Sequence, residues 1–151
     1  MKRIFLIGYM GAGKTTVGKV LSRQLELSFI DLDHYIEGRY HKTVGQLFAE
    51  KGEDAFRDIE RRMLREVAAF EDVLVSTGGG APCFFDNMEF MNGAGQTVYL
   101  KVSVEELAKR LELCKSTRPI LEGRSGDELR AFIKLGYTAA KTVFWLYSRE
   151  E

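Results

Sequence analysis

A three-layer α/β/α domain around a mainly parallel sheet of four or five strands is the fold this sequence predicts. Three observations predict it. Short, continuous apolar runs that suit strands buried on both faces alternate with stretches of helical apolar spacing. The first such run ends in a glycine-rich loop that leads directly into a helix. No repeat, low-complexity tract or linker interrupts the 151 residues, a length that fits one compact domain with a real core.

The elements follow in order. Ile4, Phe5, Leu6 and Ile7 form the first strand, ended by Gly8. Residues 14–25 carry Val17, Val20, Leu21 and Leu25 at helical spacing, and residues 28–31 make a second strand. Tyr35, Ile36 and Tyr40 mark a short helix. Thr43 and Gln46 form a capping box that opens a helix over 44–51, closed by Gly52. A longer helix over 53–70 puts Phe56, Ile59, Met63, Leu64 and Val67 on one stripe. Residues 73–75 form the third strand and run into Gly78, Gly79 and Gly80; residues 97–100 form the fourth. Ser103 and Glu106 cap a helix anchored by Leu107 and Leu111. Residues 115–126 read as a mobile polar loop, a lid, and 127–133 as helix.

Composition removes several classes of function. Lysine plus arginine and aspartate plus glutamate each number 22, so no global field recruits nucleic acid or an anionic membrane. Any anionic ligand must be held by local clusters. The apolar run after Met1, Lys2 and Arg3 is too short for a signal peptide or a membrane span, and a cytoplasmic protein is expected. Cys83 and Cys114 lie far apart and read as reduced bystander thiols. His34, His41 and Trp145 read as structural or surface residues, with no metal-ligand spacing.

Residues 8–15 match GxxxxGK[ST], a loop whose backbone N–H groups converge on phosphates while the following helix adds its positive dipole end. Gly11, Ala12, Gly13, Lys14, Thr15 and Thr16 are thus the candidate nucleotide-binding residues. Lys14 can bridge β- and γ-phosphate oxygens, and Thr15 can ligate Mg²⁺. A dinucleotide is excluded because position 16 is Thr where the third glycine of that fingerprint would stand. ATP or GTP fits.

Weaker signals surround the loop. Asp31 and Asp33 end the second strand, and strand alternation would send both the same way. One carboxylate can support the metal and the other can accept a hydrogen bond from an attacking hydroxyl; a helix N-cap plus a solvated Asp is the bland alternative. The third strand leads into Ser76 and Thr77 rather than an acid, which shifts the metal role onto Asp31. Gly78, Gly79 and Gly80 offer bare backbone to a polar ligand, or a plain turn. Arg57 and Glu60 share a helical face at i, i+3, a carboxylate fork with its support or an ordinary surface ion pair. Arg118, in the polar loop, can reach a transferring phosphoryl group on closure or remain solvated.

Taken in order, GYMGAGKTT, FIDLD, FRDIE, STGGG and TRPIL resemble the shikimate kinases, small members of the nucleoside-monophosphate-kinase-like P-loop fold. The resemblance spans residues 1–130. It implies one P-loop kinase domain over residues 1–151, with ATP and shikimate as substrates, Mg²⁺ as cofactor, and the 3-hydroxyl of shikimate as acceptor. Lys14 and Thr15 would serve ATP and Mg²⁺, with Asp31 supporting the metal. Asp33 would contact the acceptor hydroxyls as base or orienter. Arg57 would clamp the carboxylate with Glu60 behind it, and Gly78, Gly79 and Gly80 would line the ring. Arg118 would arrive with the lid, and Arg110 would stack on adenine. A monomer is expected. Gluconate or nucleotide kinases of the same fold, or a nucleotide-binding module without turnover, are the rival readings.

Residues 135–151 depart from that pattern. The family's Arg-x-Pro-x-Tyr segment, whose Arg also grips the substrate carboxylate, has no counterpart there, and Phe144, Trp145, Leu146 and Tyr147 stand in a segment without its Arg or Pro. The expectation is a replaced tail, for example by a reading-frame shift. Loss of that charge-assisted pair would weaken shikimate binding by roughly tenfold to over a hundredfold.

Overall fold

The computed structural model describes residues 2–8, 13–100 and 105. Arg110, Arg118, the lid at 115–126 and the tail at 135–151 lie outside the described residues. So do Gly11 and Ala12 of the loop.

The order of elements is β1 (Arg3–Ile7), α1 (Lys14–Gln24), β2 (Ser28–Asp31), α2 (Leu32–Tyr40), α3 (Val44–Ala68), β3 (Val73–Ser76), a 3₁₀ turn at Ala81–Cys83, α4 (Asn87–Ala94) and β4 (Gln96–Tyr99). The four strands described are all parallel, in the order β2-β3-β1-β4. Parallel pairing demands crossovers, which α1, α3 and α4 supply.

Alternation along β1 sorts the core into two layers. Phe5 and Ile7 join Val73, Val75, Leu32, Ile36, Leu47, Leu64, Val67, Met88 and Met91 under α2, α3 and α4. Ile4 and Leu6 face the other way, with Leu74, toward Leu21, Leu27 and Phe29. The predicted sandwich is therefore present among the described residues: α1 on one face of the sheet, α2, α3 and α4 on the other.

Gly52 closes the first of the two helices expected between 44 and 70. The helical run Val44–Ala68 is two helices abutting at a kink, where Gly52 leaves helical geometry at φ 84°, ψ 171°, a conformation that suits glycine. Thr43 and Gln46 form the reciprocal capping box at its start. Two departures matter more. The second strand stops at Asp31, so Asp33 stands in the first turn of α2 and strand alternation does not place it. Residues 81–95, given no element from sequence, hold the 3₁₀ turn and α4; eight residues with only Met88 and Met91 as buried apolar anchors are too few for a periodicity to register.

Candidate active site

Parallel strands bring their carboxyl ends to one edge of the sheet, and Lys14, Thr15, Asp31, Asp33, Arg57, Glu60 and the glycine run, described residues among those singled out from sequence, gather there. Gly13 takes a left-handed conformation at φ 92° as the N-cap of α1, turning the chain so that the first helical N–H groups face the loop. Lys14, largely buried, donates from Nζ to the Gly8 carbonyl at 2.7 Å. This contact ties the two ends of the loop together. Thr15 Oγ1 donates to Asp31 Oδ2 at 3.1 Å, while Asp31 Oδ1 accepts from the His34 backbone N–H at 3.1 Å. Asp31 thus does both things the sequence allowed: it caps α2 and stands beside Thr15. Thr16 is exposed on the first turn of α1.

In the sheet register Asp31 lies opposite Ser76. The acid missing from the end of β3 is therefore supplied one strand over. A hydroxyl and a carboxylate within 3.1 Å are hard oxygen donors, the set that fits Mg²⁺ completed by nucleotide phosphates. The described residues hold no group of three or more His, Cys, Asp or Glu able to bind a metal by themselves. Mg²⁺ does not require one.

On the other side of the site the surface ion pair is overturned. Arg57 and Glu60 are 9% and 1% exposed, with Arg57 Nη1 donating to Glu60 Oε1 at 3.0 Å. The exposed Glu53 approaches Arg57 Nη2 at 3.7 Å. Arg57 Nε is buried without a hydrogen-bond partner among the described residues. Burial pushes the Glu60 carboxyl up to about 7 against the pull of the Arg57 guanidinium, with the nearby Asp33 charge adding to the rise. The Cys83 thiol is likewise pushed up by burial, in part offset by Arg57.

Gly78 and Gly80 have a reason the sequence did not reveal. A Cβ on Gly78 would come 2.9 Å from Glu60 Oε2 and 3.1 Å from Asp33 Oδ1. One on Gly80 would lie 2.8 Å from Arg57 Nη2 and 2.9 Å from Nη1. The glycines leave room for the protein's own charged groups, and Asp33, Arg57 and Glu60 converge on that stretch of backbone. Sequence reasoning missed Phe84, whose ring centroid lies 4.2 Å from Arg57 Cζ. The repeat of Arg57, Arg61 and Arg65 opposite Phe84, Phe85 and Phe90 is the signal that could have found it.

A surface cavity of about 580 Å³ lined by Arg3, Glu26, Asp72 and Gln96 lies elsewhere, at the amino ends of the strands, and takes no part in this arrangement.

Comparison with known proteins agrees with this geometry. The family profile described as "Shikimate kinase" matches residues 10–147, past residue 130 where the motif resemblance ends. A shikimate kinase of Parabacteroides distasonis is 80% identical over 133 residues, 88% of this chain and 77% of that protein. One of Bacteroides thetaiotaomicron is 63% identical over 151 residues, 95% of this chain and 86% of that protein. Among solved structures, a shikimate kinase from Bacteroides thetaiotaomicron aligns with TM-score 0.86 at 58% identity, covering 97% of this chain and 82% of that one. The shikimate kinase of Acinetobacter baumannii in complex with shikimate aligns with TM-score 0.89 at 33% identity, covering 97% and 80%.

Proposed function

This chain belongs to the shikimate kinase family, and from that premise we propose how its residues divide the transfer of the γ-phosphoryl group of ATP to the 3-hydroxyl of shikimate. The enzyme is an ATP-dependent phosphotransferase acting on an alcohol, a step toward chorismate and the aromatic amino acids. The observation that carries the division of roles is the buried Arg57–Glu60 pair, with Asp33 beside it, at the same sheet edge as Lys14, Thr15 and Asp31.

Gly11, Ala12, Gly13 and Thr16 present backbone and hydroxyl donors to the nucleotide, and Lys14 exchanges its tether to Gly8 for β- and γ-phosphate oxygens. Thr15 and Asp31 would hold Mg²⁺, which when bound neutralises charge on the phosphates. Arg57 binds the shikimate carboxylate in plane, with Glu60 fixing Nη1. Gly78, Gly79 and Gly80 form the wall against which the ring lies. Asp33 accepts the hydrogen bond of the 3-hydroxyl. As the new O–P bond forms, that proton passes to the Asp33 carboxylate; the bond from Pγ to the bridging oxygen breaks, and ADP leaves with the electron pair. Arg118 meets the transferring group and Arg110 the adenine. The working unit is one domain, a cytoplasmic monomer.

A coupled ADP-release assay, run with shikimate, with gluconate and with neither, tests the reading. Release that depends on shikimate alone is the expected result. Release with gluconate, or none above the background without acceptor, overturns it.

A further inference from the structure

Arg57, Arg61 and Arg65 fall at i, i+4 and i+8 of α3 and so stand in one row. Each meets an aromatic ring from the segment after the three glycines. Arg57 Cζ lies 4.2 Å from the Phe84 centroid, Arg61 Cζ 5.2 Å from Phe85, and Arg65 Cζ 4.5 Å from Phe90. Ion pairs bind the two outer rungs: Asp86 Oδ1 lies 3.4 Å from Arg61 Nε and 2.8 Å from Arg65 Nη2. With its carboxylate so engaged, Asp86 does not cap α4. Asn87 accepts from Arg65 and donates to the Ala81 carbonyl at 2.9 Å, which ties the 3₁₀ turn to the same row.

The innermost rung is built differently. The acids paired with Arg57, Glu53 and Glu60, come from its own helix, and what the opposing segment contributes is the ring of Phe84. A ring on the face of a guanidinium attracts it without consuming any N–H, because all five donors lie in the plane. Arg57 Nε, buried and without a partner among the described residues, belongs to that plane. Carboxylate recognition by arginine is planar and two-pronged, so the orientation of the plane decides whether the fork meets its target. Gly80 has no Cβ to push the guanidinium away.

We infer that Phe84 is a positioning residue for acceptor recognition: its ring, anchored by the Arg61 and Arg65 rungs, sets the plane in which Arg57 offers its guanidinium to the substrate carboxylate. The inference rests on the proposed role of Arg57 as carboxylate clamp. The row also gives α3 a means of fixing the wall that follows β3, so recognition of the acid and placement of the ring depend on the same contacts.

The test is titration calorimetry of shikimate, of its uncharged methyl ester and of an ATP analogue against the whole chain. The variants are Phe84→Leu, Phe84→Met and Phe84→Trp, with Arg57→Lys alongside. Loss of the ring in Phe84→Leu should weaken shikimate binding about 3- to 30-fold while ATP-analogue binding stays within about twofold. The penalty should vanish for the methyl ester, and Phe84→Trp should restore affinity. Phe84→Met fills the space without a ring and carries the comparison should Phe84→Leu fail to fold. Unchanged shikimate affinity in a folded ring-less variant, while Arg57→Lys binds weakly, overturns the inference alone. Equal losses for the acid and the ester also overturn it, by reducing Phe84 to packing. Parental affinity in Arg57→Lys overturns the clamp and the inference together.

Discussion

The side of the site proposed to hold nucleotide, from Gly13 to Asp31, and the side proposed to hold the acceptor, on α3 and the backbone after β3, partner their polar groups in different ways. Lys14 is largely buried but donates to the Gly8 carbonyl, Thr15 and Thr16 are exposed, and Thr15 and Asp31 satisfy each other across two neighbouring elements. Arg57 and Glu60 are buried, and one donor of the fork has no partner among the described residues. A ligand as charged as a metal–triphosphate can be met by backbone dipoles and surface groups that a short stretch of chain provides. A small polyhydroxylated acid carries one charge and demands a dry, shaped pocket, where electrostatics are stronger and unmatched groups cost more. The nucleotide side is local in sequence. The acceptor side is assembled from α2, α3 and the glycine run.

The largest effect expected from this contrast is functional and lies on the nucleotide side. Lys14→Ala should lower kcat by about a hundred- to a thousandfold in the ADP-release assay, the scale for removing a charge-stabilising donor, while shikimate affinity is retained. Coupled loss of both would mean that the two sides are not separable.

The largest effect on stability belongs to the buried side. Arg57→Leu leaves Glu60 buried without its cation and should lower unfolding free energy by about 3 kcal/mol in urea titration. Asp31→Asn keeps an N-cap side chain and should change stability by less than about 1 kcal/mol. Similar values for the two would erase the distinction.

Acid dependence sharpens the same contrast. Glu60 is raised from 4.5 to about 7, chiefly by burial. Below 4.5 the carboxyl is protonated in both states. Between there and about 7 the unfolded chain ionises while the folded one keeps its proton. The contribution of Glu60 to stability is therefore full in acid and is lost as pH rises to 7, by about 3 kcal/mol in all. Glu60→Gln cannot ionise, so its stability relative to the parent should climb across that window and level off above it. A difference independent of pH between the two proteins would contradict the raised value.

The smallest expected effect is steric. Gly80→Ala places a methyl group within 3 Å of the Arg57 guanidinium and should raise the KM for shikimate roughly tenfold, with the KM for ATP unmoved. An unaltered KM would show that Arg57 can retreat without losing its grip.

What the sequence made legible follows the same division. The loop from Gly8 to Thr15 is contiguous, and the strand before it and helix after it carry clear periodicities, so both the nucleotide side and the parallel sheet could be read directly. Asp33, Arg57, Glu60 and the glycines each had an ordinary reading, and only their joint order, through a family resemblance, selected the other. Burial of the Arg57–Glu60 pair was not legible because i, i+3 spacing says nothing about what covers the face. The glycines were read as room for a ligand, whereas Gly78 and Gly80 first make room for Glu60, Asp33 and Arg57. Alternation does not reach Asp33, since the strand gives way to helix at Leu32, where Asp31 caps it. Phe84 went unread because its partner lies 27 positions earlier in the chain, on another element.

Phosphorus NMR of a mixture of this chain, MgATP and shikimate tests the central claim most directly. A phosphomonoester resonance should grow in step with ADP, and should be absent when shikimate is replaced by a sugar acid without its ring. ADP accumulating with only inorganic phosphate beside it, at the same rate with or without shikimate, would contradict the account.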